Sequence, residues 1–152
     1  MNIRQRTVID RPAATVWPYI LNPGYFQKWN EKIVSMEARD AFRLGESFVT
    51  HYRWGRRQLQ CLSVATQIEA ERLLELRHSH FVGTGVGADM EVTERITLEE
   101  RDHRSIVTKH VRVRNHRLPW LLVPLIWLIS RFGKPVKEDS LKSMCEGKST
   151  GS

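Results

Sequence analysis

The sequence predicts an α+β fold: one strand, two short helices, a six-stranded antiparallel meander and a helical C-terminal region. Three observations carry this. Apolar residues alternate with polar ones over several stretches between residues 32 and 114. Short polar or glycine-bearing turns separate those stretches at hairpin spacing. From residue 119 onward the alternation gives way to a longer apolar segment of helical length.

The 152 residues suit one domain, 41% hydrophobic and 27% charged, a composition typical of globular chains. A domain of this size buries roughly 70% of its unfolded surface and needs no metal or disulfide staple. Lys and Arg number 24 against 17 Asp and Glu, giving a net charge of +7, which excludes an acidic disordered chain. Cys61 and Cys145 make neither a disulfide framework nor a zinc set. They read as small buried apolar residues in a reducing compartment, and a cytoplasmic protein is expected. Residues 1–6 carry charge with no apolar run after them, so no signal peptide is expected. The apolar run 118–129 is interrupted by two prolines and is too short to span a bilayer.

Residues 2–10 read as the first strand, with Ile3 and Ile9 on one face. Residues 13–21 form a helix that places Val16, Trp17 and Ile20 on one side. Asn22-Pro23-Gly24 stops it, and 25–29 make a second helical turn. Strands follow at 32–39, 47–54, 57–68, 73–81, 88–100 and 105–114. Gly55-Arg56, residues 69–71, the glycines at 83, 85 and 87, and residues 101–103 separate the last five. Pro119 suits a first helical turn, whereas Pro124, Gly133 and Pro135 bend or interrupt the helix beyond it. Residues 136–145 form a last amphipathic segment with Leu141, Met144 and Cys145 as its stripe. A single domain over 1–146 is expected, with a disordered tail at 147–152.

The order of elements and several local motifs resemble the START-like, Bet v 1-like superfamily, in particular its polyketide cyclase/dehydrase-like members. Residues 8–17, Val-Ile-Asp-Arg-Pro-Ala-Ala-Thr-Val-Trp, are similar to the first strand running into that family's Val-Trp helix. Phe26 to Asn30, Phe-Gln-Lys-Trp-Asn, resemble its entry to the second strand. Phe42-Arg43-Leu44-Gly45 resembles its Phe-x-x-Gly turn, and Leu141-Lys142 a pair near the end of its last helix. The resemblance spans residues 2–146 and implies a helix-grip fold, a curved sheet wrapped around a long C-terminal helix with a cavity between them. The family holds lipid carriers, hormone receptors and ring-closing enzymes, so the fold does not fix the function.

Strand parity selects the side chains that would face such a cavity. Met90, Val92, Glu94, Ile96 and Leu98 share one face of their strand, with Glu94 its only charge. Val107, Lys109, Val111 and Val113 share a face of the next. A register in which paired numbers sum to 203 sets Lys109 opposite Glu94 and Val111 opposite Val92. Leu74, Leu76, His78 and His80 share a third face, and Phe48, Thr50, Tyr52 and Trp54 a fourth. An apolar wall with a few polar tips is what a small-molecule pocket requires. The candidate ligand-binding residues are therefore Tyr52, Trp54, Leu76, His78, Met90, Val92, Glu94, Lys109 and Val111. The Glu94–Lys109 pair would orient a polar ligand group, or would be a hydrated pair at the sheet end worth 0 to about 1 kcal/mol. His78, Glu94 and Tyr52 are the candidates for proton transfer. His78-x-His80 beside Glu94 lacks a third ligand by spacing, so no metal is assigned, and no cofactor. The glycines at 83, 85 and 87 lead into a strand, against a phosphate-binding motif.

Between residues 104 and 137 there are eight Lys or Arg and no Asp or Glu. The apolar residues 120–129, with Trp120, Trp127 and Ile129, lie within that block, suiting either peripheral contact with an anionic membrane or a helix covering the sheet. Nucleic-acid binding is not expected, because the aromatics fall at core positions. Three functions stay open: binding of a small hydrophobic or amphipathic ligand, a cyclase or dehydratase, and a lipid carrier. Nothing in the sequence decides the oligomeric state.

Overall fold

The computed structural model describes residues 2–30, 32–54, 56–83, 89–114 and 138–147. Strand β1 (Asn2–Ile9) leads into helices α1 (Ala13–Leu21) and α2 (Pro23–Trp29). Six strands follow: β2 (Ile33–Met36), β3 (Ser47–Trp54), β4 (Arg57–Glu69), β5 (Leu73–Val82), β6 (Glu91–Arg101) and β7 (Arg104–Arg114). Helix α3 (Glu138–Glu146) closes the described chain. The strands form one curved antiparallel sheet in the order β1-β7-β6-β5-β4-β3-β2. The meander thus runs from β2 to β7, and β1 pairs with β7 at the far edge.

Asn22 both ends α1 and begins α2, its side chain accepting a hydrogen bond from the Gly24 amide at 2.8 Å. Glu100, at the end of β6, accepts from the Ala13 amide at 2.7 Å. It satisfies an otherwise orphaned N–H where the helix dipole favours an anion. Ala13, Val16, Trp17 and Ile20 turn inward to join Phe26 and Trp29 in the core. At the Phe-x-x-Gly turn, Gly45 adopts φ +77° and its amide bonds the Ala65 carbonyl at 2.9 Å. A side chain there would be strained.

Alternation holds as expected along β6. Met90, just before the strand, and Val92, Glu94, Ile96 and Leu98 are buried, while Arg95 and Glu99 face outward. The register does not hold. Asp102 and His103 both take positive φ, so β6 turns into β7 through a two-residue loop that pairs Arg101 with Arg104. Paired numbers sum to 205, setting Glu94 opposite Val111 and Lys109 opposite Ile96. The expected reversal falls one residue early. That moves the pairing by two and leaves every side chain on its expected face.

A second correction concerns His80. It adopts φ +54° and inserts an extra residue where β5 pairs with β4 between Ser79 and Val82. This bulge sends His80 to the surface and brings Phe81 into the core. His78 and His80 therefore do not share a face.

In α3, Leu141 and Cys145 are buried and Met144 is partly buried, against β1, α1 and α2. The long helix expected from residue 119 lies outside the described residues, as do the turn at 84–88 and, beyond Gly147, the tail.

Candidate functional site

The inner face carries one linked chain of polar groups in an apolar wall. Glu94, on β6, is 3% exposed and accepts two hydrogen bonds. The Tyr52 hydroxyl donates to Oε1 at 2.6 Å, and the Asn30 amide donates to Oε2 at 3.2 Å. Asn30 is the residue that ends α2, so the helix pair delivers a donor to a carboxylate on the central sheet. His78, on β5, is 0% exposed. Its Nδ1 lies 2.6 Å from the Ser63 hydroxyl, which lies 2.7 Å from that of Thr50. Ser63 and His78 are direct partners across β4 and β5. The ring of Tyr52 meets the His78 imidazole edge-on at 5.2 Å and Phe81 at 6.1 Å.

His78 Nε2 is buried with no hydrogen-bond partner among the described residues. Its nearest charged neighbour is Glu94 Oε1, 3.9 Å away, too far for a hydrogen bond. Burial pushes the His78 pKa down, Glu94 pulls it back in part and Lys109 pushes it down again, so it ends below the ordinary value. A neutral imidazole carries one proton. Placed on Nε2, that proton points a donor at the carboxylate; placed on Nδ1, it would leave a lone pair facing it. The first tautomer is favoured, with Ser63 donating to Nδ1 and Thr50 to Ser63.

Burial pushes Glu94 upward. Lys109, His78, the Tyr52 hydrogen bond and Lys32 together outweigh it and hold Glu94 below the usual carboxylate value. The Tyr52 hydroxyl is pushed well up, first by burial and then by Glu94, and stays protonated. Lys109 is half-buried, with Nζ 5.7 Å from the centre of the Trp29 ring. The site thus holds an ionised acid, a neutral histidine and a protonated tyrosine within contact of one another. Burial also raises the Cys61 thiol beside this chain to about 12, which makes it inert.

The structure brings together most of the residues that parity selected. Tyr52, Leu76, His78, Met90, Val92 and Glu94 are buried on the inner face, and Val111 packs partly against it. Trp54 ends β3, and its side chain lies outside the described set. Two participants, Asn30 and Ser63, are not among the residues that parity selected, and Thr50 shares the expected face with Tyr52 without being a ligand-binding candidate. Ser63 carries a usable signal, a small polar residue at inward parity between Cys61 and Ala65. Among the described residues no three His, Cys, Asp or Glu side chains gather as a metal site. No helix among them is long and apolar enough to cross a membrane.

The fold is shared widely. A protein from Arthrobacter aurescens superposes with a TM-score of 0.69 at 13% identity, covering 97% of this chain and 87% of its own. CV1439 from Chromobacterium violaceum gives 0.66 at 16% identity, covering 95% and 96%. Ara h 8.0201 gives 0.59 at 16% identity, covering 97% and 95%. At such identities the likeness shows the fold alone. No curated protein matches the sequence. The model of the polyketide cyclase / dehydrase and lipid transport family matches residues 1–134. With that match over most of its length, the chain belongs to this family.

Proposed function

We propose that the domain binds a small hydrophobic or amphipathic molecule against the inner face of the sheet, with the ligand's polar end toward His78, Glu94 and Lys109. The observation that carries this is the linked polar chain from Thr50 through Ser63 and His78 to Glu94, set in an otherwise apolar wall. Apolar walls supply the affinity of such sites, and a few placed polar groups fix orientation. The unmatched Nε2 donor of His78 is available to a ligand acceptor. Both groups are covered, so a ligand reaches them only when the inner face opens. The two unpaired buried cysteines suit a reducing, cytoplasmic setting. Native mass spectrometry of the purified chain tests the reading. An apolar molecule retained in the gas phase and lost from Leu76→Arg is expected. A bare mass, together with no enhancement of 1-anilinonaphthalene-8-sulfonate fluorescence by the folded protein, overturns it.

A second reading, a cyclase or dehydratase acting on an aromatic or polyketide substrate, is favoured by the protonation states. Ionised Glu94 can accept a proton while the neutral His78 Nε2–H can donate a hydrogen bond to a developing oxyanion, at atoms 3.9 Å apart. Turnover lost in His78→Gln with binding retained would separate it from simple binding. Docking of a carrier on anionic membranes through residues 120–129 rests on sequence alone, since those residues lie outside the described set.

A further inference from the structure

The outer face of the same sheet carries a separate concentration of charge. Arg77, Thr93 and Arg112 form one cross-strand row over β5, β6 and β7. In the adjoining row Glu75, Arg95, His110 and Arg4 succeed one another across four strands. Arg95 is paired with Glu75 at 3.2 Å. Arg77, Arg112 and Arg114 are exposed and make no ion pair with any described residue, although Glu91 lies opposite Arg114. Cations this close on one sheet face repel one another, and no carboxylate lies in the Arg77–Thr93–Arg112 row to offset that.

All of these side chains except Arg4 line a groove of about 340 Å³, together with Thr66 and Glu91. Adjacent strands lie about 4.8 Å apart, so Arg77 and Arg112 rise roughly 10 Å from each other with Thr93 between. Two guanidinium forks at that spacing can close on one tetrahedral anion from both sides, each donating in bidentate fashion, with the threonine hydroxyl beneath.

We propose that this groove is a binding site for a compact phosphate-bearing small molecule, independent of the inner-face site. Its dimensions and its borders select that class. Glu75 and Glu91 bound the groove, and Glu69, Glu71, Glu99 and Glu100 line the neighbouring hollow, with Arg95 on the border of both. A bilayer laid on this face would meet all of those carboxylates, whereas a small anion seated between Arg77 and Arg112 meets none in its own cross-strand row. Among the described residues neither hollow is lined by Phe, Tyr or Trp, so those residues offer no platform for stacking nucleic-acid bases. Strand alternation puts Thr93 and Arg95 on the opposite side from Glu94, and occupancy of the groove touches none of the inner groups.

Inorganic pyrophosphate is the probe, titrated calorimetrically into the full chain at physiological ionic strength. Saturable binding at one site is expected. Arg77→Gln with Arg112→Gln should weaken it about tenfold or more, because both forks are lost. Arg43→Gln with Arg53→Gln removes the same net charge from exposed positions outside the groove, and should leave binding within about twofold. All four arginines are exposed, so unchanged thermal melts confirm that the variants fold. Equal loss in both double variants would reduce the effect to diffuse attraction and overturn the site. No saturable binding by wild type would overturn it too. So would binding to phosphatidylserine vesicles or to single-stranded RNA without binding of pyrophosphate. Failure here leaves the inner-face reading standing, since that is tested by an apolar probe.

Discussion

Replacing Tyr52 with Phe removes one oxygen from a buried contact to the Glu94 carboxylate. The ring stays, with its edge-on packing against His78 and its contact with Phe81. What is lost is an O–H donor 2.6 Å from a carboxylate that is itself 3% exposed. Hydrogen bonds to charged groups contribute about 1.5–3 kcal/mol, whereas a neutral pair contributes about 1. Glu94 keeps the Asn30 amide at 3.2 Å and the field of Lys109, so the carboxylate is weakened and not stranded. Its Oε1 loses its hydrogen bond and has His78 Nε2 3.9 Å away. The expected loss is about 2 kcal/mol, in the middle of that range. For a domain of this length that lowers Tm by about 4–8 °C.

Urea denaturation across pH makes the test specific. Glu94 has a folded pKa below its unfolded one. Its contribution is therefore fully present above the unfolded value of about 4.3 and is lost as pH falls through the folded pKa. The Tyr52 hydroxyl is one of the groups that hold the folded pKa down. The gap between wild type and Tyr52→Phe should be widest near neutrality and should shrink below pH ~4 as Glu94 takes up its proton in both. A variant within about 0.5 kcal/mol of wild type at pH 7, with a parallel acid limb, would refute the reasoning. It would mean that Glu94 is not an ionised acceptor of this hydroxyl.

The same geometry sets the outcome of other changes. Ser63→Ala strips both Thr50 and His78 Nδ1 of their partner in a fully buried site, and should cost about 1–3 kcal/mol by chemical denaturation. His78 has a lowered folded pKa, so stability should decline as pH falls below about 6.5, where the unfolded chain protonates and the folded one does not. His78→Gln should flatten that slope in thermal melts. Glu94→Gln should cost more than Glu94→Gln combined with Lys109→Met, because the single change leaves a half-buried ammonium without its counter-charge; a coupling below about 0.5 kcal/mol would show the two to be independent. Trp17→Ala empties a buried position beside Val16 and Ile20 and should cost about 3–5 kcal/mol; an unchanged Tm would exclude a core role.

The sequence disclosed faces more readily than neighbours. Parity placed Glu94 inward because it was the lone charge in an apolar alternation, and side-chain direction along a strand is a local property. Which residue lies opposite Glu94 is not local. It depends on where the chain reverses, and Asp102 and His103 take the positive φ of that turn without the Asn-Gly signature that would have announced it. A shift of two residues is also invisible to alternation, since it preserves both faces. The bulge at His80 is similar: nothing in Ser-His-Phe marks the residue that will take φ +54°. Asn30 was farther from reach. It lies 64 residues from Glu94 and meets it only because α2 packs beneath the sheet.

Those same nonlocal contacts explain why the inner polar chain can survive burial. Its members come from β3, β4, β5, β6 and the end of α2, and only β3 supplies two of them, Thr50 at one end and Tyr52 at the other. Each buried hydroxyl or imidazole is satisfied only if the strand beside it sits in register, so the chain penalises slippage that the apolar residues around it would tolerate. Glu94 is the costliest member and has the most partners, two donors and the nearby Lys109. The one donor left over, His78 Nε2, is on the neutral side chain, where an unmatched hydrogen bond costs least. The unmet valence thus sits at the group that can wait for a ligand, beside a carboxylate that cannot be left alone.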